Sequence, residues 1–386
     1  MINRIATRLW EGLTSFQLTV LSMALLMALV LLCTLAQVSM GTQGAVNHFM
    51  RTWIVYWAPV DSPWQYPVFP GGPLVGLMFG LNLFAIMVKR LKFRWDKAGL
   101  WIVHVGLVLL VAGEFVSAMY QVDTRMAIEE GQTVNFTEEY RDPELAVIDV
   151  TDARHDDVYS IPRSLLASGG TLKVPNTPLE LRIKAFYLNA DLANRGPMDP
   201  PSMATAGVGV GVKVTEAAPV TREDDSNRTS AFFEAVAGGR SYGTWLVSTV
   251  LAAPQTLVHE GRTYLFAMRP RRYYLPYSLT LKKFSHDLYP GTQIPKNFSS
   301  LVTLNHPAKG EQRDVLIYMN QPLRYDGKAF YQASFGKQDT LTILQVVQNP
   351  GWLIPYISTV LVTVGLLAHF GIAMRRSRRR QPAQEA

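Results

Sequence analysis

Several windows of about 18 or more residues carry no charged side chain, and runs of that length match the hydrocarbon thickness of a bilayer. Four spans are expected, over residues 17–40, 71–88, 99–119 and 352–374. At ~1.5 Å per residue each can cross, the second only barely. A purely soluble protein is excluded. The first window is longer than a secretory signal core, and its flank from Gln37 to Gly41 is unlike a small-residue cleavage site, so a retained span is expected.

The formal charge of +7 lies in short flanks. Lys89, Arg90, Lys92, Arg94 and Lys97 oppose only Asp96 between spans two and three, and Arg375, Arg376, Arg378, Arg379 and Arg380 oppose only Glu385 after span four. By the positive-inside rule both flanks are cytoplasmic, which puts both termini inside and residues 120–351 outside. That long segment holds 24 basic and 25 acidic residues, so it offers no basic face and nucleic acid is not a partner. Cys33, the single cysteine, lies inside the first span, which rules out an intrachain disulfide and a CxxC redox pair. Seven of the eight tryptophans, all but Trp245, flank the spans. They suit an interfacial aromatic belt, and Trp53, Trp57 and Trp64 also suit an outer surface for a flat apolar ligand.

The expected organisation is therefore a three-helix membrane region (1–119), an outer domain (120–351), and a fourth helix with a basic tail (352–386). Period-two apolar alternation over 179–185 and 208–214, with further runs at 145–150, 263–268, 278–284, 301–304, 315–320, 329–334 and 340–347, predicts strands. The fold class is thus integral membrane: four transmembrane α-helices with a large extracytoplasmic all-β domain, sandwich or open-barrel-like, between helices three and four. Residues 189–206 and 217–230 read as irregular loops, and 242–252 as the one helix inside the domain. The domain has no cysteine, closely spaced histidine pair or phosphate loop, so chemistry is sought in the membrane.

His104, Glu114 and His369 are the intramembrane imidazoles and carboxylate, and such groups are costly in hydrocarbon unless paired or liganded. His104 stands five residues inside the start of span three and His369 five residues before the end of span four, which predicts a common depth. A neutral imidazole there suits an axial haem ligand, with Trp101, Val105, Leu107, Val108 and Val111 as an apolar wall, and equally suits a hydrogen bond to a neighbouring helix. Glu114, ~15 Å along the helix from His104, reads as reaching the outer interface, with a proton relay as the alternative. His48, His155, His259, His286 and His306 read as surface or structural groups.

Three runs carry a resemblance: GLWIVHVGLVLLVAGEF in the third span, YYLPYSLTLKKFSHDLYPGTQIPKNFSS from Tyr273, and NQPLRYDGKAFYQASF from Asn320, followed by TLTILQVVQNPGW. In these the chain resembles the ResB/CcsB (ResB-like) proteins of system II cytochrome c biogenesis. The resemblance implies a subunit of the bacterial inner membrane that binds haem b and works with a multispan, tryptophan-rich haem-handling protein of the ResC/CcsA type. Together these supply haem to the CxxCH cysteines of apocytochrome c. It implies that His104 is the haem ligand and metal-binding residue. His369 stands as a second cofactor-binding candidate on the depth argument alone. This chain lacks the tryptophan-rich motif, since WAPVDSPWQYP does not have its form, so at most it is an accessory part of a haem lyase. A docking role is open for Tyr289 to Thr292 and for Phe330 to Gln332, against turn and core strand. The competing class is a membrane scaffold or insertion chaperone whose outer domain binds proteins without haem.

Overall fold

The computed structural model describes residues 2–58, 64–90, 94–220, 226–291, 295–337 and 339–380. The helices are α1 (Ile2–Leu13), α2 (Phe16–Ala45), α3 (Gly72–Arg90), α4 (Ala98–Tyr120), the short α5 (Arg163–Ser168) and α6 (Ile354–Arg380). Two compact units result, one from Met1–Val122 with Gln348–Ala386, the other from Asp123–Val220 with Asp224–Val347.

In the first unit four helices are long and apolar enough to cross a membrane, over Phe16–Thr42, Gly72–Lys89, Trp95–Tyr120 and Ile354–Ser377. These are the four expected spans, each a few residues displaced at its ends. The helix of span one breaks at Gly41, whose φ of 71° suits glycine. α2 packs on α3, α3 on α4, and α4 on α6. The last contact is the closest, for a reason visible in α4: its buried residues are Gly99, Gly106 and Gly113, seven apart and hence on one face. A Cβ at Gly106 would lie 2.8 Å from Val362 Cγ2 and 3.0 Å from the Ser358 carbonyl oxygen, and one at Gly113 2.5 Å from Ile354 Cγ2. The order of these contacts makes the two helices antiparallel. Polar clasps close both ends of the pair. Arg376 donates to Asp96 at 3.2 Å, and at the other end Asn349 Nδ2 donates to Ser117 Oγ at 3.0 Å and to Gln121 Oε1 at 3.2 Å.

Between α2 and α3 lies a hairpin of β1 (Ile54–Trp57) and β2 (Tyr66–Pro70). The second unit contains β3 (Val122–Glu129), β4 (Thr133–Asp149), β5 (Asp157–Pro162), β6 (Gly170–Lys173), β7 (Leu179–Tyr187), β8 (Ala190–Asn194), β9 (Val212–Glu216), β10 (Ser230–Ala237), β11 (Arg240–Ser248) and β12 (Gln255–His259). It continues with β13 (Arg262–Leu288), β14 (Pro295–His306), β15 (Glu311–Tyr318), β16 (Leu323–Tyr325), β17 (Lys328–Gly336) and β18 (Leu341–Gln348). One sheet runs β11-β10-β7-β6, and a second runs β15-β14-β13-β4-β3-β18-β17-β16, with β5 on β4 and β12 on β13.

The long strand β13 serves two cores, which makes both architectural alternatives true at once. Its first half, with Tyr264, Phe266 and Met268, packs on Leu181, Phe233 and Val247 of the four-stranded sheet, giving a sandwich. Its second half, with Tyr277, Leu279 and Leu281, shares a core with Met126, Val302, Ile317, Phe330 and Leu344 of its own sheet, which therefore curls. The sheet ends meet: Tyr325 of β16 donates its hydroxyl to Glu311 of β15 at 2.7 Å. Across the interior Ser300 Oγ donates to Gln332 Oε1 at 2.6 Å. The wall is barrel-like.

Three local expectations are corrected. Residues 242–252 are not helical, because most of that stretch is β11, paired with β10 in a register that sets Phe233 opposite Trp245. Leu246 and Val247 are fully buried on opposite faces, and a strand covered on both sides reads as a continuous apolar run that mimics a helix. Over 208–214 only β9 is a strand. Residues Val208–Gly211 form a 3-10 turn, and the glycine alternation there reflects close packing, since a Cβ at Gly209 would lie 2.8 Å from Ala204 Cβ. Within 189–206 the first residues form β8, paired to β9. The domain's helix is α5 instead.

Candidate functional site

The candidate site is on α4 in the membrane unit. His104, Val108, Val111 and Phe115 recur at helical spacing along one side of α4, and Val111 and Phe115 of this stripe pack on α3. A Cβ at Gly80 would lie 3.2 Å from Val111 Cγ1, and one at Gly76 3.5 Å from Phe115 Cζ. The stripe lies roughly half a turn around the helix from the Gly99–Gly106–Gly113 face. His104 is half-buried, and its Nδ1 lies 2.8 Å from the Leu100 carbonyl oxygen one turn below. A carbonyl only accepts, so this bond assigns the proton to Nδ1 and leaves the lone pair on Nε2. Among the described residues Nε2 has no hydrogen-bond partner. That is the tautomer and restraint of a metal-ligating imidazole, whose other nitrogen is normally held by a carbonyl or carboxylate.

His369 is not brought beside it. A Cβ on Gly99 would fall within contact of the His369 backbone nitrogen and 2.7 Å from its Cα, so His369 is level with Gly99. That is five residues, or ~7.5 Å, from the level of His104, and on the opposite side of α4. The common depth expected from counting residues fails because the two helices are offset in register by their glycine contacts and end at different heights. The ring of His369 touches Phe370, with centroids 5.7 Å apart. Glu114 is exposed on α4. No three His, Cys, Asp or Glu side chains come together among the described residues, so a group held here by this chain would have one imidazole and an apolar wall.

A polar intramembrane residue escaped the sequence argument. Asn82 of α3 is fully buried, accepts from Thr19 Oγ1 at 2.7 Å, and donates to the Leu13 carbonyl at 2.7 Å and the Ser15 carbonyl at 3.2 Å. It ties α3 to the start of α2. A search for ionisable groups passes over an amide; its signal was a lone Asn in an apolar span.

In the second unit the remaining candidates take structural places. Phe330 is fully buried in the curled core, and Gln332 is bonded within it. Gly291 has a φ of +75° and Tyr289 is exposed, as a turn requires, while Thr292 lies outside the described residues. His259 is buried with Nδ1 2.7 Å from the Tyr242 hydroxyl, and His306 is buried with Nδ1 accepting from Lys309 N. Trp53, Trp57 and Trp64 are exposed around the β1–β2 hairpin, whereas Trp245 is buried in the sandwich.

Residues 242–343 match the profile of the ResB-like family. A stretch of 101 residues is 37% identical to the protein NrfI of Wolinella succinogenes, covering 26% of this chain and 11% of NrfI. The family match lies wholly in the second unit, from β11 into β18, and includes neither His104 nor His369. Over that stretch the chain is similar to the ResB-like family, and it carries four helices long and apolar enough to cross a membrane.

Proposed function

We propose that this protein is a membrane subunit of a cytochrome c assembly complex, which holds haem b in the bilayer and passes it, with a multispan tryptophan-rich partner of the ResC/CcsA type, to apocytochrome c. The observation that carries the assembly role is the ResB-like match over residues 242–343. Support for haem as the cargo comes from His104: a half-buried imidazole whose Nδ1 is held by the Leu100 carbonyl presents its Nε2 lone pair as an iron ligand. Trp101 and Val108 stand three residues before and four residues after it, on the same side of the helix. Of this chain's residues His104 would hold the iron, and a further ligand would come from the partner.

In this reading the chain lies in the bacterial inner membrane with both termini cytoplasmic and the β-domain outside. The basic flanks support that direction. So does the Arg376–Asp96 pair, which brings the start of α4 and the end of α6 to one side. The alternative, a scaffold whose outer domain binds proteins without haem, is favoured by one fact: the family match falls in that domain and not on His104.

The test is an absorption spectrum of the purified protein, alone and with its partner, for the native chain, His104→Ala and His369→Ala. A Soret band is expected that disappears in His104→Ala and survives in His369→Ala. A band independent of His104, or none at all, overturns the ligand assignment. Normal cytochrome c maturation in a deletion strain would overturn the assembly role itself.

A further inference from the structure

Helix α1 separates polar from apolar residues without mixing. At about 100° per residue, Ala6, Leu9, Trp10 and Leu13 occupy one side, and Arg4, Thr7, Arg8 and Glu11 the other. Among the described residues the apolar side is largely uncovered: Leu9 is 69% exposed and Trp10 42%, while Leu13 is half-buried. The last turn of α1 is nevertheless fixed in place. Thr14, fully buried, donates Oγ1 to the Trp10 carbonyl at 2.8 Å and accepts from Lys89 Nζ at 2.7 Å. Ser15 Oγ accepts from Leu18 N at 3.2 Å, which caps the start of α2, and Asn82 donates to the Leu13 and Ser15 carbonyls. The end of α1 is therefore bonded to the first residues of one span and the last residues of the next.

We infer that α1 is an interfacial helix, lying on the bilayer surface at the Lys89 end of the spans. Leu9, Trp10 and Leu13 enter the acyl boundary, and Arg4 and Arg8 meet anionic lipid headgroups. Two observations select lipid over another protein surface. The uncovered apolar side begins within three residues of Phe16, where the first span enters hydrocarbon, so that side is continuous with an apolar solvent. The opposite side carries two arginines against one glutamate, which complements a negatively charged surface. This inference uses the span arrangement and not the haem reading.

The full chain, with Cys33→Ser to remove its single native cysteine, is labelled with a nitroxide at Leu9→Cys or at Glu11→Cys and placed in nanodiscs. The discs are phosphatidylcholine with or without phosphatidylglycerol. Collision with oxygen is compared with collision with a water-soluble nickel chelate. The oxygen-to-nickel ratio is expected to be about tenfold higher at Leu9 than at Glu11. Phosphatidylglycerol should raise the Leu9 ratio further, and Arg4→Gln with Arg8→Gln should abolish that rise. Equal ratios at the two positions would overturn the proposal. So would dipolar broadening between Leu9 labels, which would mean a second copy covers the face. A ratio that ignores phosphatidylglycerol would overturn the headgroup assignment.

Discussion

The membrane unit and the β-sheet unit solve the packing problem by opposite means. In the β-sheet unit large side chains such as Phe233, Phe266, Tyr277 and Phe330 are buried to 3% exposure or less, because water drives apolar surface inward. In the membrane unit the buried positions of α4 are glycines, and large residues such as Leu31, Leu35 and Leu367 face outward. Lipid gives no hydrophobic reason to bury a leucine, so backbone approach, side-chain hydrogen bonds and end clasps hold the helices instead. The lesson is that the meaning of an exposed leucine depends on the solvent of its unit.

The largest expected effect that would break this contrast lies in the β-sheet unit. Glu144 and Arg269 form a pair at 3.0 Å between β4 and β13, with side chains 2% and 12% exposed, and Ser160 also bonds Glu144. Arg269→Met strands the carboxylate and should cost about 3–5 kcal/mol, read as a lower midpoint of the β-sheet circular-dichroism transition. Adding Glu144→Leu should recover most of the loss. Among the described residues Arg269 Nη2 is itself buried without a hydrogen-bond partner, which makes the apolar replacement easier to tolerate.

In the membrane, Gly106→Leu drives a side chain into Val362 and the Ser358 carbonyl, costing about 1–3 kcal/mol. An engineered disulfide between Asp96→Cys and Arg376→Cys, expected to form in the native background, should form several times more slowly with Gly106→Leu. An unchanged cross-linking rate would mean the glycine face does not set the helix distance. Asn82→Leu should cost about 0.6–2 kcal/mol, since polar contacts in bilayers are worth only that much, and should show as easier unfolding in denaturing detergent.

The smallest effect is a pH dependence confined to the water-facing unit. Burial, together with a hydrogen bond to Glu139 at 2.8 Å, pushes the Tyr273 hydroxyl up to about 12. The folded state thus holds a proton that the unfolded chain releases near its ordinary value of about 10. The contribution is complete below pH 10 and disappears as pH rises through 12. Tyr273→Phe should flatten that part of the stability profile, and an identical slope in both proteins would discard the assignment.

Apolar runs of bilayer length made the four spans legible to within a few residues at their ends, and alternation marked most strands of the second unit. Where the chain was misread, tertiary cover had erased the signal. β11 is apolar on both faces because a sheet lies on one side and the 204–214 segment on the other, so period two vanished. At the candidate site His104 stood out in the sequence as a candidate, since an imidazole in hydrocarbon needs a reason. Its tautomer could not, because that follows from the distance to the Leu100 carbonyl.

By itself the sequence determined which solvent each segment occupies, since transfer of charge and apolar area is additive along a chain and needs no knowledge of neighbours. Only the tertiary structure decided the relation between helices. Counting from the ends set His104 and His369 level, whereas the glycine contacts of α4 set the register and put His369 opposite Gly99. Depth in a membrane can be counted from sequence to within a turn or two, but register depends on which small residue meets which backbone, and that is a property of the pair.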